Sequence, residues 1–401
     1  MTEHKSFKRL VRSRMARTGE TYSTARRHLL GAAPDTPVRT GGGVEHASAL
    51  LHNVLRGRIG EAMLAGLAGG IGFMYFVFEY QGTHPTMTIV ARHHPEPFIP
   101  AALRRAGVEH RIHHTTSARK AEATLRTALD DGPVICTVDR TRLPWHGSSG
   151  EWGPEAYPVG VLGIDGTEVV LDDECVHPNR LPLNDFLAAW SADKKVKHEL
   201  ITVGGGYEPD VDGAIATTRA HLTGPVLGNN FDVNFGFSGM RKLAEQLRGD
   251  GRQSWIRRWA DPAGLFFALR RLHDCLEVEF TGPSASRPLY AEFLREVGRP
   301  EAAGLFDASG RVWTDIADRA VALTPALLDY DEIVTERLRL QLTEGAAASS
   351  AIRSLNSRIV DLQNKMASDP PAEDQVREAL GGLAALADRA RELEESALTA
   401  L

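Results

Sequence analysis

The spacing of apolar residues changes once along this chain, near residue 205, and that change limits the folds open to it. Before it, apolar runs of strand length mix with helical stretches, and after about residue 210 the pattern is helical almost throughout. Runs at 86–91, 134–138, 159–162, 168–171 and 198–203 predict strands, with 134–138 and 159–162 apolar enough to be buried on both faces. Helices are expected at 46–57, 59–67, 100–106, 117–129 (Ser117 as N-cap) and 184–190 (Asn184 as N-cap). Further on, Ser238 reads as the cap of 239–247, and Asp261-Pro262 opens a helix to about Cys275. Stretches 287–297 and 314–322 continue the series.

The last segment has its own signature. Ile352, Leu355, Ile359, Leu362 and Met366 repeat at alternating spacings of three and four, and Ser368-Asp369-Pro370-Pro371 breaks the run. Val376, Leu380, Leu383, Leu393 and Leu398 then mark a second helix, which gives a helical hairpin. Such a hairpin either packs on its own domain or forms a homodimer contact. The expected organisation is residues 1–40 as basic helices and a linker, 41–205 as an α+β domain, 206–330 as a helical domain and 331–401 as the hairpin.

Composition excludes several classes. Among 401 residues the formal charge is −6, which argues against nucleic acid as a partner although basic residues gather in 5–27. Cys136, Cys175 and Cys275 lie far apart with no CxxC pair, as in a reducing compartment. No apolar run opens the chain and none reaches the length of about 18 residues that a membrane span needs. The expectation is a cytoplasmic protein without membrane association.

The chemistry concentrates around Val44–His52. Gly41–Gly43 form a loop, and a helix with Leu50, Leu51, Val54 and Leu55 on one face follows. A loop-to-helix junction of this kind suits a reactive cysteine, because free N–H groups and the positive helix end lower a thiol pKa. Ala47 stands there instead. Gly66, Gly69, Gly70 and Gly72 invite comparison with a phosphate loop. A dinucleotide fingerprint, however, needs a strand before its glycines and a helix after them, and here the order is reversed. Tight turning and close backbone packing explain them better. His84, His93, His94, His110, His113 and His114 crowd one stretch, but adjacent histidines diverge, so neither a metal nor another cofactor is expected. The loop Asp139–Trp145 follows a buried strand and is placed to line a site, with 147–153 as a lid. Residues 157–172 read as a β-hairpin turning at Asp165-Gly166.

Together these pieces resemble the butirosin biosynthesis protein H family. They are His46 before a helix carrying Leu51, Asn53 and Leu55; the Gly66–Tyr75 turn; Thr116 before the 121–129 helix; Gly132-Pro133-Val134; Asp139 with Leu143-Pro144; the 159–172 hairpin; and Arg287, Tyr290, Phe293 and Leu294 in the second half. The resemblance implies a papain-like (cysteine-peptidase-like) N-terminal domain followed by an all-α domain. It also implies transfer of an acyl group from a carrier-protein thioester to an amine through a cysteine. A papain-like domain has a general-base histidine opening the first hairpin strand and an orienting carboxylate or amide ending the second. Tyr157 and Asp172 hold those places, and Ala47 holds that of the cysteine. A phenol with a pKa of about 10 is a poor base at neutral pH.

Three readings follow. One is a natural-product biosynthetic enzyme transferring acyl or aminoacyl groups to a small-molecule amine without a covalent intermediate. Glu45 or His46 would be the base, Tyr157 and Asp172 would contact substrate, and Ala47, Phe73, Tyr75, Asp139 and Trp145 would line the pocket. Another is a non-catalytic relative that binds a small molecule, an acyl carrier protein or a partner enzyme. The third moves the thiol chemistry to Cys175, against the acidic Asp172-Asp173-Glu174 beside it.

Overall fold

The computed structural model describes residues 40–147, 153–279 and 282–401. The basic N-terminal helices, their linker and most of the expected lid lie outside the described residues. The fold is α+β: a sheet-containing N-terminal region is followed by a helical C-terminal region. The chain forms two compact units from interleaved segments. The first contains the described residues up to Leu64, Ala106–Glu208 and Thr335–Ser357, and the second contains Ala65–Arg105, Pro209–Val334 and Arg358–Leu401.

The first unit is built on a six-stranded antiparallel sheet. Its strands are β3 (His110–His113), β4 (Val134–Asp139), β5 (Ala156–Asp165), β6 (Glu168–Asp172), β7 (Asn179–Pro182) and β8 (Leu200–Val203), in the order β3-β8-β4-β5-β6-β7. Val134, Cys136 and Val138 of β4, Val159 and Val161 of β5, and Val169 and Leu171 of β6 alternate onto one face. There they meet Leu125 of α4 (Ala118–Leu129) and Phe186 and Trp190 of α5 (Leu183–Ser191). Ser117 caps α4 as expected, its side chain accepting from the Lys120 N–H at 3.4 Å. Asn184 does not cap α5, which starts one residue earlier behind Pro182. The edge strands β3 and β7, His-Arg-Ile-His and Asn-Arg-Leu-Pro, escaped the sequence reading because neither has an apolar run.

Helix α1 (His46–Val54) is shorter than the expected 46–57. Arg56 and Gly57, both at positive φ, reverse the chain before α2 (Glu61–Leu67). The segment 335–357, part of the expected hairpin region, belongs to this unit. It buries Leu340, Ala348 and Ile352 together, accepts the Val176 N–H at Leu342 O (2.8 Å), and donates the Ala346 N–H to Asn179 Oδ1 (2.8 Å).

The second unit holds a two-stranded antiparallel ribbon, β1 (Ile71–Phe78) with β2 (Thr86–Arg92), among helices. Of these, α3 (Phe98–Arg105) follows the ribbon; α6 (Val211–Thr223), α7 (Gly236–Arg248), α8 (Trp255–Arg258), α9 (Pro262–Glu277) and α10 (Arg287–Glu296) come next; and α11 (Pro300–Val321) far exceeds the expected 314–322. Asp261 caps α9 through the Gly264 N–H (2.9 Å) with Pro262 at its start, as read. Ser238 lies inside α7 and does not cap it. Helix α12 (Pro325–Thr343) was not anticipated, whereas α13 (Ser349–Ser368) and α14 (Glu373–Ala400) flank the Pro370-Pro371 break.

The glycine cluster packs rings. A Cβ on Gly66 would stand 2.2 Å from the Phe293 ring, and one on Gly70, at φ +63°, would stand 2.4 Å from Tyr290. Close approach of backbone to aromatic side chains is thus what the cluster provides. The centre of this unit is fully buried Arg287, which donates to Ala91 O (2.7 Å), Gly72 O (3.0 Å) and Ala285 O (2.9 Å) and pairs bidentately with buried Glu394. No helix among the described residues is long and apolar enough to cross a membrane.

Candidate active site

The N-terminus of α1 is closed by two carboxylates, its own N-cap Glu45 and Glu61 of α2. Glu45 is the N-cap and accepts the Ser48 N–H at 2.8 Å. Glu61 Oε1 accepts the N–H groups of Val44 (2.6 Å) and Glu45 (2.9 Å). Gly43 is required here, since a Cβ would meet the Ala49 Cβ at 2.1 Å. The N–H groups of Val44, Glu45 and Ser48 around this helix end are thereby engaged by carboxylates. The helix begins at His46, the start expected from sequence, and Ala47 is buried in the core.

One face of α1 lies on β5. His46 Nε2 donates to Pro158 O at 2.6 Å, so the proton on that nitrogen is fixed by the carbonyl it faces. One turn on, Leu50 sits against Gly160, and Asn53 Nδ2 donates to Asp172 Oδ1 at 3.4 Å. Gly160 pairs with Asp172 across β5 and β6, so both belong to this face. The Gly41 N–H also donates to Asp172 Oδ1 (2.8 Å), while Oδ2 is buried without a partner among the described residues. Burial pushes the Asp172 carboxyl up to about 8, against the pull of the Gly41 and Asn53 hydrogen bonds.

Tyr157 alternates with Pro158 and therefore takes the opposite face of β5, the face of Val159 and Val161. Tyr157 and Asp172 do not form the expected pair. The carboxylate that meets Tyr157 belongs to the next residue: the phenol donates to Asp173 Oδ1 at 2.8 Å. Asp173 also accepts the Glu174 N–H (2.8 Å), Trp145 Nε1–H (2.6 Å) and His146 Nε2 (2.9 Å). Arg140 Nε donates to His146 Nδ1 at 3.3 Å, which places the imidazole proton on Nε2, facing Asp173. His46 stacks on Tyr157 at 4.3 Å between centroids, and its Nδ1 lies 3.2 Å from the phenol oxygen.

Electrostatics follow from this packing. Burial alone would raise the Asp173 carboxyl, but His146, His46 and Trp145 outweigh it and hold the group well below the ordinary carboxylate range. Burial, reinforced by the charges of Asp173 and Glu174, drives the Tyr157 phenol well above its usual value. A phenolate base is thereby excluded at neutral pH.

The other expected residues lie elsewhere. Asp139 is buried and braces its own loop, accepting from Thr141 N–H (3.1 Å), Thr141 Oγ1–H (2.8 Å) and Glu155 N–H (3.1 Å). Trp145 contributes its indole N–H to Asp173, not a pocket wall, and its loop is held by Gln341 Nε2 to Trp145 O (3.2 Å) and Asn356 Nδ2 to Gly147 O (2.8 Å). Phe73 and Tyr75 are core residues of the second unit: Phe73 stacks on Trp313 at 5.2 Å, and the Tyr75 hydroxyl bridges Gln246 and Trp255. Both are 0% exposed, leaving no surface for a substrate. Burial, with Asp173 nearby, raises the Cys175 thiol, the opposite of what a reactive thiolate needs. Among the described residues no three of His, Cys, Asp and Glu are placed to hold a metal ion together.

Residues 45–174 match the family described as Butirosin biosynthesis protein H, N-terminal. The match covers about a third of the chain and takes in α1, the β5–β6 hairpin and the Asp172–Glu174 run. No curated protein matches the chain. Within the matched segment, His146 and Asp173 were missed as site residues from sequence, while Arg140 was read only as part of the Asp139–Trp145 loop. The legible signal was the doubled carboxylate after β6 and the histidine immediately behind Trp145.

Proposed function

We propose that this chain is a natural-product biosynthetic protein of the butirosin H kind that binds its ligands without forming an acyl-enzyme. A small-molecule amine and an acyl group on a carrier protein are the ligands this reading assigns to it. The observation that carries it is the saturation of the polar cluster. Each Asp173 oxygen accepts two donors, His46 has one nitrogen on Pro158 O and the other beside the Tyr157 phenol, and Ala47 offers only a methyl group. Covalent acyl transfer needs a nucleophile with a base whose proton-accepting atom is free to take its proton. On this reading the reactive atoms that the resemblance leads one to expect are replaced, and the polar groups near them are tied to each other.

A second reading, direct acyl transfer with His46 as base, is favoured by one feature: the His46 side chain keeps 17% of its surface exposed. Incubation of the full chain with an acyl-pantetheine thioester, followed by intact-mass spectrometry, tests the first reading, and the expected result is an unmodified mass. Acylation of the native chain overturns it. Thioester consumption that depends on added amine and disappears in His46→Ala transfers the assignment to the second reading.

A further inference from the structure

We infer that the His93–Glu96 loop and the Gly69–Gly72 turn of the second unit form an acid-operated latch, closed while His93 and His221 are neutral and opened when His221 takes up a proton. The latch is built by close approach. The His93 N–H donates to Gly70 O (3.2 Å), and the Thr218 hydroxyl of α6 donates to Gly69 O (2.7 Å). A Cβ on Gly69 would stand 2.8 Å from the His93 ring, and one on Gly72 would stand 2.7 Å from the His221 ring. The two imidazoles meet edge to face, 5.1 Å between centroids.

Hydrogen bonding fixes the state of His221. Its Nε2 faces His94 O at 3.3 Å, and a carbonyl only accepts, so Nε2 carries the proton and Nδ1 the lone pair. Nδ1 is buried with no hydrogen-bond partner among the described residues. A second proton there creates a buried N–H without an acceptor. The surrounding charges oppose it as well. His93 and His94 face it from the loop, Arg92 ends β2 beside them, Arg105 comes from α3 and Arg287 from α10. The carboxylates nearby are committed, Glu96 to Arg104 and Arg105, and Glu394 of α14 to Arg287. Toward α7 the neighbour is the Phe235 ring, which offers no charge. Burial first, then His93, His94 and Arg287, push the His221 imidazole down to about 3. Burial also lowers His93, against the pull of Glu96, and His94. His93 has an exit: its side chain is 13% exposed and its Nδ1 lies 3.7 Å from Glu96 Oε2, so a protonated His93 turns to that carboxylate and leaves His221. A histidine held below its ordinary value of 6.5 stabilises the closed state above that pH and loses this as pH falls toward the folded value. An open state that restores the ordinary value for His221 alone gains roughly thirtyfold in population between pH 7.5 and pH 5.

Amide hydrogen exchange of the full chain at pH 7.5 and pH 5, corrected for intrinsic rates, tests the latch. The His93 amide and its neighbours in 69–72 are expected to lose about tenfold or more in protection at pH 5, while β4 and β5 of the first unit keep theirs. His221→Phe and His221→Gln, neither of which can ionise, should each remove most of that pH dependence, whatever they do to protection at pH 7.5. Equal protection at the two pH values, a loss spread evenly over both units, or native pH dependence in either variant overturns the inference.

Discussion

Asp172→Asn separates the charge on Asp172 from its hydrogen bonds. In the native protein both donors, Gly41 N–H and Asn53 Nδ2–H, address Oδ1, and Oδ2 is buried without a partner among the described residues. Asparagine keeps the oxygen those donors need and cannot ionise. Burial pushes the Asp172 carboxyl up to about 8 from the ordinary value of 3.8. Between those values the native state holds a proton that the unfolded chain has released. Stability therefore falls as pH rises, by about 1.4 kcal/mol per pH unit, and roughly 4 kcal/mol is lost between pH 5 and pH 9. In the D172N variant the new amide places a donor where Oδ2 lacked a partner, a cost of about 1–3 kcal/mol that does not depend on pH. Differential scanning calorimetry of both proteins at one-unit pH steps measures the difference. The gap in melting temperature of the first unit should shift in favour of D172N by roughly 8–16 °C from the acid to the alkaline end. A gap that stays the same at pH 5 and pH 9 would refute the claim that Asp172 is buried as an acid.

Asp173 has the opposite sign. Its native carboxyl is held below the ordinary range, so its stabilisation is present above pH 4 and lost as pH falls through the lower native value. Asp173→Asn should destabilise the first unit by about 3–5 kcal/mol near neutrality, with a smaller loss in acid, measured by urea unfolding. Arg287→Met strands buried Glu394 with only the Ser309 hydroxyl and Trp313 indole as donors, and should cost the second unit about 3–5 kcal/mol. The double variant Arg287→Met with Glu394→Leu should recover part of that loss in the same assay, since no unpaired charge remains. Gly70→Ala combines a positive φ with a Cβ 2.4 Å from Tyr290 and should lower stability by roughly 2 kcal/mol or more, seen as a reduced thermal midpoint.

Elements with strong local signals were legible in the sequence. Ser117 and Asp261 cap their helices, and Pro370-Pro371 separates α13 from α14. The α+β-then-helical order came from apolar spacing alone. What stayed hidden depends on contacts distant in sequence. β3 and β7 are strands because β8 and β6 offer them an edge, not because of their own composition. Residues 335–357 return to the first unit through Leu342, Ala346 and Ile352, a destination that helical periodicity cannot encode, since it fixes a face and not a partner.

The candidate site turned on a single step along a strand. Reading Asp172 as the orienting carboxylate uses its place at the end of β6, which the structure gives it. Alternation then decides the rest. Asp172 pairs with Gly160 and shares the face of Pro158, where α1 lies, while Tyr157 shares the face of Val159 and the core beneath it. A carboxylate one residue later, past the last paired position, is free of that constraint and reaches Tyr157, Trp145 and His146 together. The two neighbouring aspartates divide their duties accordingly: Asp172 is a buried acid that fastens the Gly41 loop and α1 to the sheet, and Asp173 is the buried anion that gathers the donors of the polar cluster. No local pattern in Leu171-Asp172-Asp173-Glu174 distinguishes them, because the difference lies in which residues of β5 and of the Trp145 loop stand opposite.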